Sequence, residues 1–314
     1  MRDYVIRRLL MLIPVLIGIS ICIFAIMQLI PGDVVSGILG IEETPELRAM
    51  WEKKLGLDKP LVEQYFNWIG KAIRGDFGES FRTGAPVFPE IMKRFKISAE
   101  LAILACIIAG IIALPLGVIS ALKRNSITDR IVRVFALLGV SVPNFASATL
   151  LILFLSKAFN YYSPVKYVGL FENFGGNMEI MLLPAVILGG VMAGSVMRMT
   201  RSSILEVLRQ DFVKAVRAKG APEKVTIFRH VLRNSCIPIV TLIGMQIGGL
   251  MGGTVVIEQI FSLPGLGQFM LTGISQRDYP VVQGCVLFIA FVYVIVNLLV
   301  DILYTYIDPR ISYS

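Results

Sequence analysis

Six predominantly apolar stretches of the chain contain no Asp, Glu, Lys or Arg, and each is 18 to 24 residues long. A helix needs about 20 apolar residues to cross the hydrocarbon core of a bilayer. Since a continuous helix also satisfies its own backbone hydrogen bonds in lipid, the pattern predicts an all-α membrane protein with six transmembrane helices. The stretches are Leu9–Gly32, Leu101–Leu122, Val134–Ser156, Ile180–Met197, Asn234–Ile257 and Tyr279–Val300.

The first stretch follows Arg7 and Arg8, so a cleaved signal peptide is an alternative to a membrane helix. Its apolar length exceeds the roughly 7–15 residues of a signal-peptide core, and no small-x-small cleavage motif closes it. We therefore expect this stretch to remain in the protein as the first membrane helix.

Lys and Arg residues are distributed unevenly between the connections. Six alternating spans place the N-terminal tail, the second and fourth connections and the C-terminal tail on one side of the membrane. The fourth connection, Arg198–Arg233, alone holds nine basic residues, whereas the short connections on the other side hold only Lys157, Lys166 and Arg277. Because cytoplasmic loops are enriched in Lys and Arg, both termini are predicted to be cytoplasmic.

The first connection, Asp33–Lys96, is long and carries ten basic and ten acidic residues. A loop of this length crosses the membrane largely regardless of its charge, so it is predicted to form a small extracytoplasmic helical domain between helices 1 and 2. The chain is thus divided into residues 1–32 (cytoplasmic tail and helix 1), 33–97 (the outer domain) and 98–314 (the core with helices 2 to 6, including the cytoplasmic segment 198–233).

Local signals predict two helices in the outer domain. Thr44 is a favourable N-cap before Pro45, and Gly56 lies just beyond the expected end of the first helix. A second helix is predicted from Pro60 to Arg74. Since aromatic residues at helical spacing usually pack locally, three of them are interpreted as local core rather than as a ligand site. These are Trp51, Tyr65 and Trp68.

The fourth connection combines an apolar helical pattern with basic residues in the gaps. Gly220 interrupts the pattern, and Pro222 with Glu223 begins a second helix, so a helix–turn–helix projecting into the cytoplasm is predicted. Two interpretations stay open, because basic amphipathic helices lie on lipid headgroups and also dock in grooves of soluble partners. The apolar positions are Ile204, Leu205, Leu208, Phe212, Val213 and Val216 in the first helix, and Val225, Phe228, Val231 and Leu232 in the second.

Composition narrows the class of protein. Hydrophobic residues make up 55% and charged residues 17% of the 314 residues, and the mean hydropathy is +0.74, which excludes a soluble globular domain and a disordered chain. No nucleic-acid partner is expected despite the net charge of +8, because such binding needs a basic patch on a solvated domain. The sequence contains no Gly-x4-Gly-Lys-Ser/Thr motif, so the chain is not expected to hydrolyse ATP.

A resident metal is not expected either. The only histidine, His230, offers no ligand cluster, and a structural hydrogen bond is favoured for it over a metal site or a pH switch. All the cysteines fall inside predicted spans and are interpreted as small buried apolar residues. They are Cys22, Cys106, Cys236 and Cys285.

The segment Phe212–Gly220 resembles the EAA loop of binding-protein-dependent ABC importer permeases, in the form found in the dipeptide/oligopeptide/nickel permease family. Ala215 and Gly220 occupy the second and seventh positions of the EAA-x3-G pattern. Lys214 stands where many importers have Glu, and Leu232-Arg233 replaces a Leu-Pro pair. These departures are typical of the peptide branch.

Further motifs extend the resemblance over nearly the whole chain. Their order and spacing are similar to those of the first of the two permease subunits in such systems. They are Arg7-Arg8-Leu9, Ile30-Pro31-Gly32-Asp33, Gly75-Asp76-Phe77-Gly78-x-Ser80, Gly84-x-Pro86-Val87, Ser141-x-Pro143-x-Phe145, His230-x3-Asn234-x3-Pro238, Phe261-Ser-x-Pro264-Gly265-Leu266-Gly267, Arg277-Asp278-Tyr279-Pro280 and Tyr306-x-Asp308-Pro309-Arg310.

The resemblance implies the type I ABC importer permease fold and a transport subunit that is not itself an enzyme. It implies four kinds of partner: a second homologous permease, two cytoplasmic P-loop ATPases, an extracytoplasmic substrate-binding protein and membrane lipids. The chain itself would carry no cofactor, since ATP and Mg belong to the ATPases. The implied location is the cytoplasmic membrane of a prokaryote.

Dipeptides or oligopeptides are the substrates that the resemblance favours, and nickel or another metal chelate is the alternative within the same family. An ATP-independent secondary transporter is a further alternative. That class needs a charged or discontinuous midplane site or an internal repeat. Only Glu258 and Asp301 come close to such a position, and both lie near span ends.

Two groups of site residues follow. The first is expected to couple the chain to an ATPase and comprises Asp211, Phe212, Lys214, Ala215, Arg217, Ala218, Lys219, Gly220, Ala221, Pro222, Arg229 and His230. The second is a set of candidates for the lining of the translocation path, with close helix packing as the alternative: Gln246, Gly249 and Gly253.

Overall fold

The computed structural model describes residues 2–29, 34–40, 43–162, 164 and 166–307, and these are helical apart from short connections and one antiparallel bridge, Glu79 to Pro86. The motifs at 30–33 and 308–310 lie outside the described residues. The helices are α1 (Arg2–Leu29), α2 (Val34–Leu39), α3 (Pro45–Leu55), α4 (Leu61–Ile73), α5 (Val87–Leu122), α6 (Ile127–Ser141), α7 (Asn144–Phe159), α8 (Phe174–Val207), α9 (Asp211–Ala218), α10 (Glu223–Val225), a π-helical segment (Thr226–Val231), α11 (Leu232–Gly253), α12 (Val255–Ile260), α13 (Leu266–Gln276) and α14 (Tyr279–Ile307).

Five helical segments are long and apolar enough to cross a membrane, and α6 with α7 makes a sixth if the pair counts as one span. This confirms the predicted all-α membrane fold at the level of five to six apolar helices. The cytoplasmic termini and the outer location of residues 33–97 stay predictions. The five segments are Leu10–Leu29, Val87–Leu122, Phe174–Val207, Glu223–Leu250 and Tyr279–Leu303.

The third predicted stretch, Val134–Ser156, is wrong as a single helix. Its sequence is divided between α6 and α7, which meet at 101°. Val142 between them has extended backbone (φ −90°, ψ 124°). Pro143 explains the break, because proline lacks an N–H and disfavours helical backbone at the preceding residue.

Two spans are much longer than their uncharged stretches. Helix α5 has 36 residues and α8 has 34, so both carry charged turns beyond the hydrocarbon core. Since α5 begins at Val87, the expected boundary between outer domain and core at residue 97 falls inside a continuous helix.

Helices α5 and α8 form the centre of the fold. Leu101 and Ala105 of α5 pack with Met181 and Leu188 of α8, and all four are buried. A methyl group at Gly189 would lie 2.7 Å from the Ala105 carbonyl oxygen. Glycine therefore permits the close backbone approach that stabilises helix pairs in membranes, where apolar burial gives little preference for helix over lipid.

The outer-domain helices confirm the local predictions. The Thr44 hydroxyl accepts a hydrogen bond from the Leu47 N–H at 3.3 Å, and Pro45 is the first residue of α3. Gly56 follows the helix with φ +70°, a conformation that costs glycine little. Tyr65 of α4 packs edge-on against Phe24 of α1 at a centroid distance of 5.5 Å, so this aromatic group joins the outer domain to the first span.

The cysteine prediction needs one correction. Cys106, Cys236 and Cys285 are partly or fully buried, but Cys22 is exposed. The reason is that α1 buries only one narrow face, represented by Ile23 and Met27, and Cys22 points away from it.

Glu258 of α12 is fully buried in a polar cluster that joins three segments. Its Oε1 accepts hydrogen bonds from the Ser98 hydroxyl of α5 at 2.6 Å and from the Thr254 hydroxyl at 2.9 Å. Its Oε2 accepts from the Gln268 N–H at 2.8 Å, in the first turn of α13, where the helix dipole favours negative charge. A methyl group at Gly265 would overlap this carboxylate, which explains the glycine in the Phe261–Gly267 motif.

Asp278 makes a second set of long-range hydrogen bonds, which connect two motifs that lie far apart in the sequence. Its carboxylate accepts hydrogen bonds from the Ser80 hydroxyl and, at 3.2 Å, from the Phe81 N–H. The Arg82 guanidinium donates to the carbonyl of Gln276 at 3.1 and 3.2 Å. The loop before α5 is therefore fastened to the start of α14.

The Glu258 cluster yields a first prediction. Glu258→Gln keeps the side-chain volume but replaces one acceptor oxygen with an NH2 group, leaving a buried donor without its acceptor. We expect a loss of about 1–3 kcal/mol and a lower unfolding temperature in detergent, followed by fluorescence. The control is Glu46→Gln, the same change at an exposed position of α3. Equal melting of the two variants would contradict the role of Glu258.

Candidate functional site

The segment between α8 and α11 folds back on itself twice. Helix α8 continues to Val207, residues 208–210 form a turn, and α9 begins at Asp211. The apolar pattern predicted one helix through this region, which is wrong, because Gln210 has extended backbone (φ −72°, ψ 148°). The reversal lets Val213 pack back onto Ile204 and Val207 instead of extending away from them.

Gly220 makes the second reversal, as predicted from the sequence. Its φ is +79°, in the left-handed region that only glycine enters at little cost. Its N–H donates to the Arg217 carbonyl at 2.9 Å, which closes the last turn of α9. A methyl group at this position would meet no heavy atom of the described residues within 4 Å, so the requirement for glycine in this chain is conformational rather than steric.

An ion pair bridges the Gly220 turn. Arg217 Nε and Nη2 donate to the two carboxylate oxygens of Glu223 at 3.1 and 2.6 Å. This fork geometry fixes both planes, and the hydrogen bond to Glu223 raises the pKa of Arg217 above its ordinary value. Because both side chains are largely exposed, the pair orients the turn more than it stabilises it.

The base of this segment is fixed by an apolar cluster. Val213 of α9 and Val231 of the π-helical segment are fully buried, together with Ala121 at the end of α5 and Ile204 and Val207 of α8. Phe212 packs against the cluster from the side. The segment is therefore attached to the ends of α5 and α8.

The tip of the segment, by contrast, presents an exposed surface of mixed character. Ala215, Ala218, Lys219 and Pro222 are exposed, as are Asp211 and Lys214, which pair at 2.8 Å. Arg229 is exposed and Ala221 and His230 are partly buried. All twelve predicted coupling residues thus lie in one structural unit.

Two exposed apolar residues were missed as site candidates. Val225 is 40% and Phe228 64% exposed, although the apolar pattern suggested that both continue the packed face into the fifth span. The π-helical segment shifts the register after Val225, and such segments are frequent at functional sites. Arg229 directly after Phe228 is the sequence signal that could have indicated an exposed turn.

The hydrogen bond expected at His230 involves its backbone in the structure. The Asn234 side-chain amide donates to the His230 carbonyl at 2.7 Å. This contact links two residues of the His230-x3-Asn234 motif within one helical turn.

A buried ion pair next to this segment was also missed. Asp129 of α6 is fully buried and accepts hydrogen bonds from Arg201 of α8 at 2.8 and 2.9 Å. It also accepts from the Ser120 hydroxyl of α5 at 2.6 Å and from the Asn125 N–H at 3.0 Å. One carboxylate therefore ties the start of α6 to the ends of α5 and α8, which carry the cluster beneath α9.

The candidates for the translocation path lie elsewhere, in α11. Gln246 is 14 residues beyond Leu232, about 21 Å along the helix. Its Nε2 is buried and has no hydrogen-bond partner among the described residues. Positions 249 and 252 would place a methyl group in open space. Gly253 ends α11, and its surroundings lie outside the described part of the chain.

Helix packing accounts for two other glycines of this helix. A methyl group at Gly248 would lie 2.7 Å from the Tyr293 ring of α14, and one at Gly244 would overlap Val300. The glycine-rich stretch therefore has one face for packing and one open face, and the lining of the translocation path by the open face stays a prediction.

Comparison with known proteins identifies the family of the chain. The profile of the family described as binding-protein-dependent transport system inner membrane component matches residues 113–313. A profile for the N-terminal part of membrane components of binding-protein-dependent transport systems matches residues 1–102.

Relatives match over their full length. The dipeptide transport system permease protein DppB of Alkalihalophilus pseudofirmus is 40% identical over all of both chains, and the glutathione transport system permease protein GsiC of Escherichia coli is 37% identical over all of both chains. Among solved structures, the inward-facing MetNI methionine ABC transporter covers 69% of this chain and 96% of that one with a TM-score of 0.53 and 15% identity, a likeness of fold. The chain therefore belongs to the family of binding-protein-dependent transport system inner membrane components, the permeases of ABC importers.

Proposed function

We propose that this chain is the permease subunit of an ATP-driven importer of dipeptides and oligopeptides and forms one half of the translocation pathway. The observation that carries the proposal is full-length identity of 40% to a dipeptide permease. The glutathione permease relative also handles a peptide, by its name. These names favour peptides over the nickel or metal-chelate alternative.

In this proposal the segment from Asp211 to His230 docks on a cytoplasmic P-loop ATPase. An apolar side chain in the centre of a docking surface contributes most when it fills a pocket, and Phe228 is the largest exposed apolar residue of the segment. The exposed charges around it, Arg217, Lys219 and Arg229, suit a polar rim. ATP and Mg act on the ATPases, and this chain holds neither.

Motion would pass from the ATPase into the spans through the base of the segment. The Val213 cluster joins α9 to α5 and α8, and the Asp129–Arg201 pair adds α6. A displacement at the Gly220 turn would then move these helix ends together, and access would alternate between the two sides of the membrane.

The remaining parts of the importer follow from the same proposal. A second permease completes the pathway, and a binding protein delivers substrate to the outer domain of residues 33–97, with both termini in the cytoplasm. Gln246, Gly249 and Gly253 are proposed to face the path. The Gln246 Nε2, which has no hydrogen-bond partner among the described residues, suits a route that handles peptide groups by hydrogen bonding.

The first test is reconstitution. We expect the chain to copurify with P-loop ATPases, and proteoliposomes of the complex to take up a labelled dipeptide only when ATP and the binding protein are supplied. Uptake driven by an ion gradient without ATP would refute the proposal and favour a secondary transporter.

Gly220 provides a sharper test of coupling. Gly220→Leu forces a branched side chain to φ +79°, which costs roughly 1–2 kcal/mol, and should abolish uptake while membrane insertion stays normal. Gly220→Asn is the matched control, because asparagine tolerates left-handed backbone and should retain more uptake than the leucine variant. Normal uptake by Gly220→Leu would exclude the proposed role.

Phe228 tests the docking surface. Phe228→Ala should weaken the affinity for the ATPase about thirtyfold, corresponding to about 2 kcal/mol for an interface anchor, measured by titrating solubilised permease with labelled ATPase. Ile127→Ala is the control, since Ile127 is 70% exposed but lies outside the segment. If both variants bind like the native chain, Phe228 is not an anchor.

A further inference from the structure

Helix α4 has an apolar face that packs on the protein and a second apolar face that does not. At 3.6 residues per turn, Tyr65, Trp68 and Ala72 share one side of the helix. Tyr65 and Trp68 contact Phe24 of α1, and Ala72 is buried. This side is the joint between α4 and the first span.

The second face lies directly beside the first. It is formed by Val62, Phe66, Ile69 and Ile73, and three of these are strongly exposed: Val62 at 67%, Phe66 at 65% and Ile73 at 80%. Together the two faces cover about 160° of the helix surface. A helix with so wide an apolar face and a polar opposite face is of the kind that lies in a membrane interface.

The rest of the helix surface is polar. Glu63, Asn67 and Lys71 follow one another on the opposite side and are all exposed. Glu63 pairs with Lys59 at 2.7 Å. Helix α4 thus separates an apolar side, which includes its contact with α1, from a charged side.

The depth of α4 along α1 identifies what covers the exposed face. The Tyr65 hydroxyl hydrogen-bonds to the Ser20 hydroxyl at 2.8 Å, and Ser20 lies nine residues before the end of α1 at Leu29. Nine residues correspond to about 13 Å of helix, close to half of a hydrocarbon core of about 30 Å. Trp68 packs beside Val282, one turn inside the start of α14.

Exposed apolar residues of the first span lie next to its contact with α4. Ile17 and Ile21 of α1 are about half exposed, and at 3.6 residues per turn they lie beside Ser20 and Phe24, which α4 contacts. Exposed apolar surface on a transmembrane helix and on the helix packed against it is solvated by the same bilayer.

We propose that α4 is an interfacial anchor whose face of Val62, Phe66, Ile69 and Ile73 is inserted in the lipid leaflet beside the first span. The occupant of the exposed face is the acyl-chain and glycerol region of that leaflet. The charged side of α4 then faces water. The inference rests on membrane insertion of the chain, and it does not depend on the transported substrate.

Spin labels measure this directly. In the assembled importer in lipid nanodiscs, with the four native cysteines replaced by alanine, labels are attached at Phe66→Cys and Ile73→Cys and, as matched controls, at Asn67→Cys and Lys71→Cys. Membrane-soluble O2 should relax the labels at 66 and 73 more than water-soluble NiEDDA does, and the order should reverse at 67 and 71.

Two results would overturn the proposal. Labels at 66 and 73 that respond to NiEDDA as strongly as those at 67 and 71 would place the face in water. Labels at 66 and 73 shielded from both reagents would mean that a second permease or the binding protein covers the face. Elution of every variant at the volume of the unlabelled complex verifies that the substitutions leave the assembly folded.

Discussion

Two buried carboxylates hold the central helix α5 to its neighbours at two levels, and most of the fold depends on where they lie. Glu258 accepts from Ser98, in the first half of α5, and Asp129 accepts from Ser120, near its end. These serines are 22 residues apart, about 33 Å along the helix, which matches the hydrocarbon core of a bilayer. Both charges can therefore be buried in protein at the membrane boundaries, with full sets of donors, and none is required in the lipid region between them.

Between the levels of the two carboxylates, helices α5 and α8 are held together by close packing of apolar side chains and backbone. Leu101, Ala105 and Met181 are fully buried, and Gly189 lets α8 approach the α5 backbone. Such close contact is the main source of helix association in lipid, because the surrounding acyl chains solvate apolar side chains as well as another helix does. The polar clusters then determine which ends meet, since an unpaired carboxylate would be costly in the protein interior.

The spans, caps and turns could be predicted from the sequence, whereas the long-range polar pairs could not, for a physical reason. Runs without charge predict spans, and Thr44 or Gly220 predict a cap or a turn, because these signals act within a few residues. The pairs Asp129–Arg201 and Ser80–Asp278 join residues 72 and 198 positions apart, and nothing local specifies the partner. Pro143 is a local signal for a break between α6 and α7. Since no charged residue lies between Arg133 and Lys157, the uncharged stretch nevertheless predicted one continuous span. Phe228 was misassigned because the π-helical segment changes the register that a 3.6-residue period assumes.

A fixed base and an exposed tip are what the proposed coupling segment would need to transmit motion. Its base is tied to α5, α6 and α8 by buried apolar and ionic contacts, so a force on the tip is passed to three helices instead of being lost in a flexible loop. The tip keeps its shape through the Gly220 turn and the Arg217–Glu223 pair. In water this exposed pair is screened and contributes little. Docking in an ATPase groove would remove water from it and strengthen the attraction, because the effective dielectric constant falls. In the proposed complex the turn therefore stiffens when the ATPase engages it.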